Sequence, residues 1–124
     1  MKNQVTVIGS HAQFDKTVEF AGATASGSVD LGGLTLIGVV TPASLVGTTF
    51  TVHAPVGYVA GVPGATYVAL TDDTGTNVTF TVSAAAEHIT FTSALIAKLR
   101  GVRHLKLVSG SAETNVITLV TSVI

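Results

Sequence analysis

Hydrophobic and polar residues alternate with a period of two through much of the chain, at 5–8, 16–20, 28–31, 34–40, 48–54, 66–70, 78–84, 88–91, 104–108 and 116–123. Such alternation puts apolar side chains on one face of a strand and polar ones on the other. In Thr49-Phe50-Thr51-Val52-His53 and Val78-Thr79-Phe80-Thr81-Val82 the pattern is clean, which predicts sheets with one wet face. Glycine, proline, Asp and Asn interrupt the pattern at 22–27, 32–33, 42–43, 55–64, 72–77 and 109–115, where turns are expected. Only 93–100 reads helically, with Ser93 as N-cap and Leu95, Ile96 and Leu99 on one side. Eight to ten short strands with these spacings predict an all-β, antiparallel β-sandwich with jelly-roll topology. An immunoglobulin-like sandwich is the second choice, lacking its usual Cys and Trp core marks.

Composition strengthens that expectation. Threonine and valine, stiff at χ1 and at home in strands, are the most abundant residues of the 124. With 47% hydrophobic and 10% charged residues the chain is the reverse of a disordered composition and long enough to bury a core. It is expected to form one β-sandwich domain over 1–124, with 1–27 as an amino-terminal arm plus first strands. Six Lys and Arg against seven Asp and Glu give no field to attract nucleic acid. No apolar run approaches the length of a membrane span, and none before Ser10 has the length of a secretion signal, so neither a membrane partner nor a cleaved leader is expected. The absence of cysteine removes disulfides, thiolate metal sites and Cys nucleophiles.

Candidate chemistry is sparse. Lys98, Arg100, Arg103 and Lys106 lie within nine positions, with His104 among them, and suit either a solvated face or an anionic partner. Asp72-Asp73-Thr74-Gly75-Thr76-Asn77 is rich in calcium-type oxygens, yet departs from the EF-hand spacing and reads better as a turn. His11, His53, His88 and His104 show no local metal-ligand spacing. Glu87-His88 are strand neighbours that point to opposite faces. Tyr58 and Tyr67 read as core or rim aromatics, with a sugar-stacking platform as the alternative. No Gly-x-Ser-x-Gly elbow or phosphate loop occurs, so no catalytic residue, no cofactor and no metal is expected.

Several segments resemble the small β-rich virion proteins of tailed bacteriophages. They are Ser28-Val29-Asp30-Leu31-Gly32-Gly33-Leu34-Thr35-Leu36-Ile37-Gly38 with Thr41-Pro42-Ala43, Gly64-Ala65-Thr66-Tyr67-Val68-Ala69-Leu70 with Asp72-Asp73, and the stretch from Gly101 to Ser111. The resemblance implies a capsid decoration, or cement, protein on the exterior of the virion head. Such a protein associates with itself, commonly as a homotrimer, and binds the major capsid protein. In that picture Val56, Tyr58, Val59 and Val62 of the apolar Gly/Pro stretch lie at subunit or capsid contacts, with Arg100, Arg103 and Lys106 as polar anchors. An apolar loop of this kind is an awkward exposed patch on a lone subunit. The competing expectation is a lectin-like glycan-binding module of a phage tail or fibre.

Overall fold

The structure is a computed structural model that describes residues 13–83 and 86–123. Twelve strands and one short helix follow in the order β1 (Gln13–Glu19), β2 (Ala23–Ala25), β3 (Val29–Asp30), β4 (Thr35–Thr41), β5 (Thr49–Pro55), β6 (Tyr58–Val59), β7 (Val62–Pro63), β8 (Tyr67–Ala69), β9 (Thr79–Thr81), β10 (Glu87–Thr90), α1 (Ser93–Leu99), β11 (His104–Glu113) and β12 (Val116–Ser122). The expected strand at 5–8 and His11 lie outside the described residues, as does the last position of the 78–84 segment.

All pairings are antiparallel and build an all-β sandwich. One sheet runs β1-β12-β4-β10; the other runs β2-β11-β5-β8, with β3 also on β11 and β9 also on β5. Taking β2 with β3 and β8 with β9 as single positions, and setting the β6–β7 hairpin aside, leaves eight strands ordered 1-8-3-6 and 2-7-4-5. That alternation of early and late strands in both sheets is the order of a jelly roll.

Period-two alternation does what the sequence leads one to expect at β5. Phe50 and Val52 are fully buried, while Thr49, Thr51 and His53 face outward. Leu36 and Val39 of β4, Leu105 and Leu107 of β11, and Ile117 and Leu119 of β12 complete one core. An aromatic chain crosses it, with ring centroids of Phe20 and Phe50 6.1 Å apart, Phe50 and Phe80 5.5 Å, and Phe80 and Phe91 5.1 Å. These separations lie in the favourable range for aromatic pairs. Leu99 of α1 is fully buried, so the helix closes the core where β4 passes it.

Four local expectations change. The N-cap of α1 is Thr92, not Ser93, because the Thr92 hydroxyl accepts from the Leu95 amide at 3.2 Å. The interval 22–27 contains β2, held on β11. The interval 109–115 is mostly strand: β11 runs on to Glu113, with an irregular register against β2 between Val108 and Glu113. Finally, 55–64 is a small hairpin of its own, β6 against β7, outside both sheets. Its turn residues Ala60 and Gly61 have φ of 52° and 80°, the positive-φ pair that a two-residue type I′ connection uses.

Candidate functional site

Directly opposed residues of an antiparallel pair share a face. On the outer face of the six-stranded sheet His104 therefore stands beside Asp30, Lys106 beside His53 with Ala69 on the far side of His53, and Val108 between Ala25 and Thr51 with Thr79 on the far side of Thr51. Tyr67 enters the same face opposite Pro55. The strand-and-turn sequence thus gathers two tyrosines, two histidines and two basic residues that no local motif joins.

At one end the groups form a continuous chain. Arg103 donates from Nε to Asp30 Oδ1 at 3.0 Å, and His104 Nε2 lies 3.4 Å from Asp30 Oδ2. His104 Nδ1 lies 3.2 Å from the Tyr58 hydroxyl. Which of the Tyr58 hydroxyl and His104 Nδ1 donates is set by the imidazole tautomer. Hydrogen bonds from the Arg103 guanidinium, and then from the Gly32 amide, hold the Asp30 carboxyl down to about 2. The Tyr58 contact also folds the β6–β7 hairpin back toward the sheet.

At the other end the Lys106 ammonium sits 4.7 Å above the centre of the Tyr67 ring, within cation–π range. Partial burial pushes the His53 imidazole below its usual value; a backbone hydrogen bond involving Tyr67 opposes that shift, and the neighbouring Lys106 charge adds to it. Lys106 has no carboxylate partner among the described residues, whereas Arg103 and Lys98 have Asp30 and Asp72.

The basic cluster of the sequence is therefore split. Lys98 reaches Asp72 at 3.5 Å, Arg100 is exposed at the C-terminal end of α1, Arg103 is bound to Asp30, and Lys106 stacks on Tyr67. Val56, Val59 and Val62 are exposed on the hairpin, Val59 at 80% of its surface. Tyr58 is exposed with them, and its hydroxyl also contacts His104. His53 and His88 belong to different sheets and do not meet. The Asp72 segment is a self-satisfied turn: Oδ1 accepts from the Thr74 amide and hydroxyl and from the Thr76 amide, which holds its carboxyl down to about 2. Among the described residues no group of three or more His, Asp or Glu is placed to hold a metal ion, and no helix is long and apolar enough to cross a membrane.

Sequence reasoning passed over two residues. Asp30 lies 73 positions from Arg103, and its only local sign is its place before Gly32-Gly33. Glu113 is fully buried and accepts from the amides of Val46 and Gly47, the Ser109 hydroxyl and the Asn115 side chain. No family model matches the chain, and neither a curated protein nor a solved structure is found to be similar to it.

Proposed function

We propose that this chain is a structural, non-enzymatic virion protein of the capsid decoration type, which associates with itself and fastens to the outside of a phage head lattice. The observation that carries the reading is the β6–β7 hairpin. It stands outside both sheets and presents the directly paired Val59 and Val62 to solvent, with Val56 exposed at its base. Apolar side chains grouped on a projecting element, over a sandwich that already has a complete core, suit burial against another protein surface. The jelly-roll order agrees with a capsid-associated role, although the same architecture carries lectins and fold alone does not assign function. Arg100, exposed beside α1, is the free polar anchor in this picture; Arg103 and Lys106 contribute after engaging Asp30 and Tyr67. The homotrimer and the major capsid protein are the proposed partners. Many modest contacts repeated over a lattice then resist capsomer separation through avidity.

Mass photometry of the purified chain, followed by pelleting with expanded heads that lack it, tests the reading. A defined oligomer that pellets at saturable stoichiometry is expected; a monomer left in the supernatant overturns it. A second reading, a saccharide-binding module, draws on a different surface, the outer face of the six-stranded sheet.

A further inference from the structure

The outer face of the six-stranded sheet has a composition unlike that of the hairpin. Its centre is built of small side chains: Ala25, Ala69, Thr51 and Thr79, with half-buried Val108 between Ala25 and Thr51, surround the opposed pair Lys106 and His53. Tyr67 lies beneath the Lys106 ammonium on one side. On the other, Tyr58 and the hairpin rise against His104.

We propose that this face binds a carboxylate-bearing saccharide, a chain of uronic acid residues, with Lys106 and His53 receiving the carboxylate. Lys106 is the one cation of this face without a carboxylate partner among the described residues, since Arg103 is already bound to Asp30. Its ammonium is held by the Tyr67 ring, so little side-chain freedom remains to be lost when an anion arrives. The imidazole opposite, at cross-strand distance of roughly 5 Å between backbones, becomes a second donor to the carboxylate when it takes up a proton, because its neutral N–H is engaged with the Tyr67 backbone. The Thr51 and Thr79 hydroxyls line the neighbouring row, and they donate and accept as sugar hydroxyls require. The small Ala25 and Ala69 side chains leave room for a flat ring to lie on the sheet.

An acidic protein surface fits less well. Stable protein interfaces centre on buried aromatic or aliphatic anchors, and the exposed apolar anchors of this molecule are on the hairpin. The saccharide site borders the hairpin at Tyr58 and uses Lys106, but it needs neither the hairpin valines nor a second subunit, so it goes beyond the lattice reading and does not depend on it.

Carboxylate binding has a signature at His53. The charged groups facing this imidazole across β5, β8 and β11 are Lys106 and, farther along the same face, the Asp30–Arg103–His104 chain below Tyr58. Burial is the main cause of the lowered His53 value and Lys106 repulsion a lesser one; a carboxylate bound between the two groups attracts the imidazolium directly as well as offsetting that repulsion, so binding raises the His53 titration midpoint. By linkage the affinity is then higher at about pH 6 than at about pH 8.

Oligogalacturonate titrated into the isotope-labelled full chain, followed by NMR and calorimetry, provides the test. Saturable shifts gathered at Lys106, His53 and Thr51 are expected. Methyl-esterified oligogalacturonate, which keeps the ring and loses the charge, and the Lys106→Gln variant should each weaken binding about tenfold. The amide spectrum and melting temperature of Lys106→Gln establish that it folds. Absence of saturable shifts, shifts elsewhere, equal binding of the methyl ester, or unchanged binding by the folded variant overturns the proposal. So does a poly-glutamate control that binds as tightly, which would make the face a peptide site. Failure to bind phage heads leaves this result untouched, because the isolated chain is titrated.

Discussion

The Glu113 carboxylate accepts a hydrogen bond from the Gly47 amide at 2.7 Å, joining positions 66 apart in the sequence. With the Val46 amide at 2.9 Å on its other oxygen, the carboxylate closes off the segment between β4 and β5 and fastens it to the end of β11. Burial by itself would raise the Glu113 carboxyl; the amides of Val46 and Gly47 and the side chains of Asn115 and Ser109 more than offset this and bring it below the usual 4.5. Replacing Glu113 by Ala strands these donors in the interior and is expected to cost about 2–4 kcal/mol in urea denaturation.

The same carboxylate gives stability a pH dependence of known sign. Because its folded value is depressed, the unfolded chain takes up the proton first as pH falls. The contribution is complete above the usual 4.5 and is lost as pH drops through the lower folded value. Denaturation midpoints followed from neutral pH into that range should fall more steeply for the wild-type chain than for Glu113→Gln; parallel curves would refute the assignment.

Gly47 leaves no room for a side chain. A Cβ there would meet the Ser109 hydroxyl and come within 3.2 Å of Glu113 Oε2. Gly47→Ala must therefore push apart the groups that make the clamp, and a loss of about 1–3 kcal/mol is expected. Amide exchange should quicken at Val46 and Ser109 before it changes in β12.

Ala60 is the one non-glycine residue with positive φ among those described. An L-residue with a Cβ pays roughly 1–2 kcal/mol in that region, and Asn tolerates it better. Ala60→Asn should recover about 0.5–1 kcal/mol of local strain. The gain should appear as slower amide exchange in β6 and β7 with little change in global melting.

The hairpin valines can be tested apart from the fold. Val59 and Val62 are 80% and 63% exposed, so changing both to Ser removes little from the core. On the proposed self-association, the double variant should keep its melting temperature and, by light scattering, remain monomeric at concentrations where the wild-type chain is expected to associate. An unchanged oligomer would move the contact off the hairpin.

The sequence made the strongest elements legible and the long-range ones illegible, for identifiable reasons. At β5 the alternation is intact, while at β4 it is broken where the register against β12 slips between Gly38 and Leu36; the structure nevertheless places both strands within one residue of the expected limits. At the end of β11 the run Ser109-Gly110-Ser111 has the composition of a turn. Yet the Ser109 hydroxyl is held by Glu113, and the Ser111 amide donates to that hydroxyl, so side-chain bonds sustain a strand that propensity disfavours. The basic cluster illustrates the converse. Proximity in sequence suggested one patch, but the bend between α1 and β11 sends Lys98 to Asp72 and Arg103 to Asp30. His104 and His53 reach one outer face only because β11 lies between β3 and β5, which is a property of strand order rather than of any motif.

Strand order also bears on how the molecule is made. In the four-stranded sheet, β12 fills the gap between β1 and β4, so each of these early strands waits for Ser122 before that side of its backbone is paired. On a ribosome, β1 and β4 leave the exit tunnel long before their shared neighbour exists. Until β12 emerges, the nascent chain carries two unsatisfied strand edges. Folding of this sheet is thereby postponed until translation has passed β12, and a polypeptide stopped short of that strand is left with edges open to other chains.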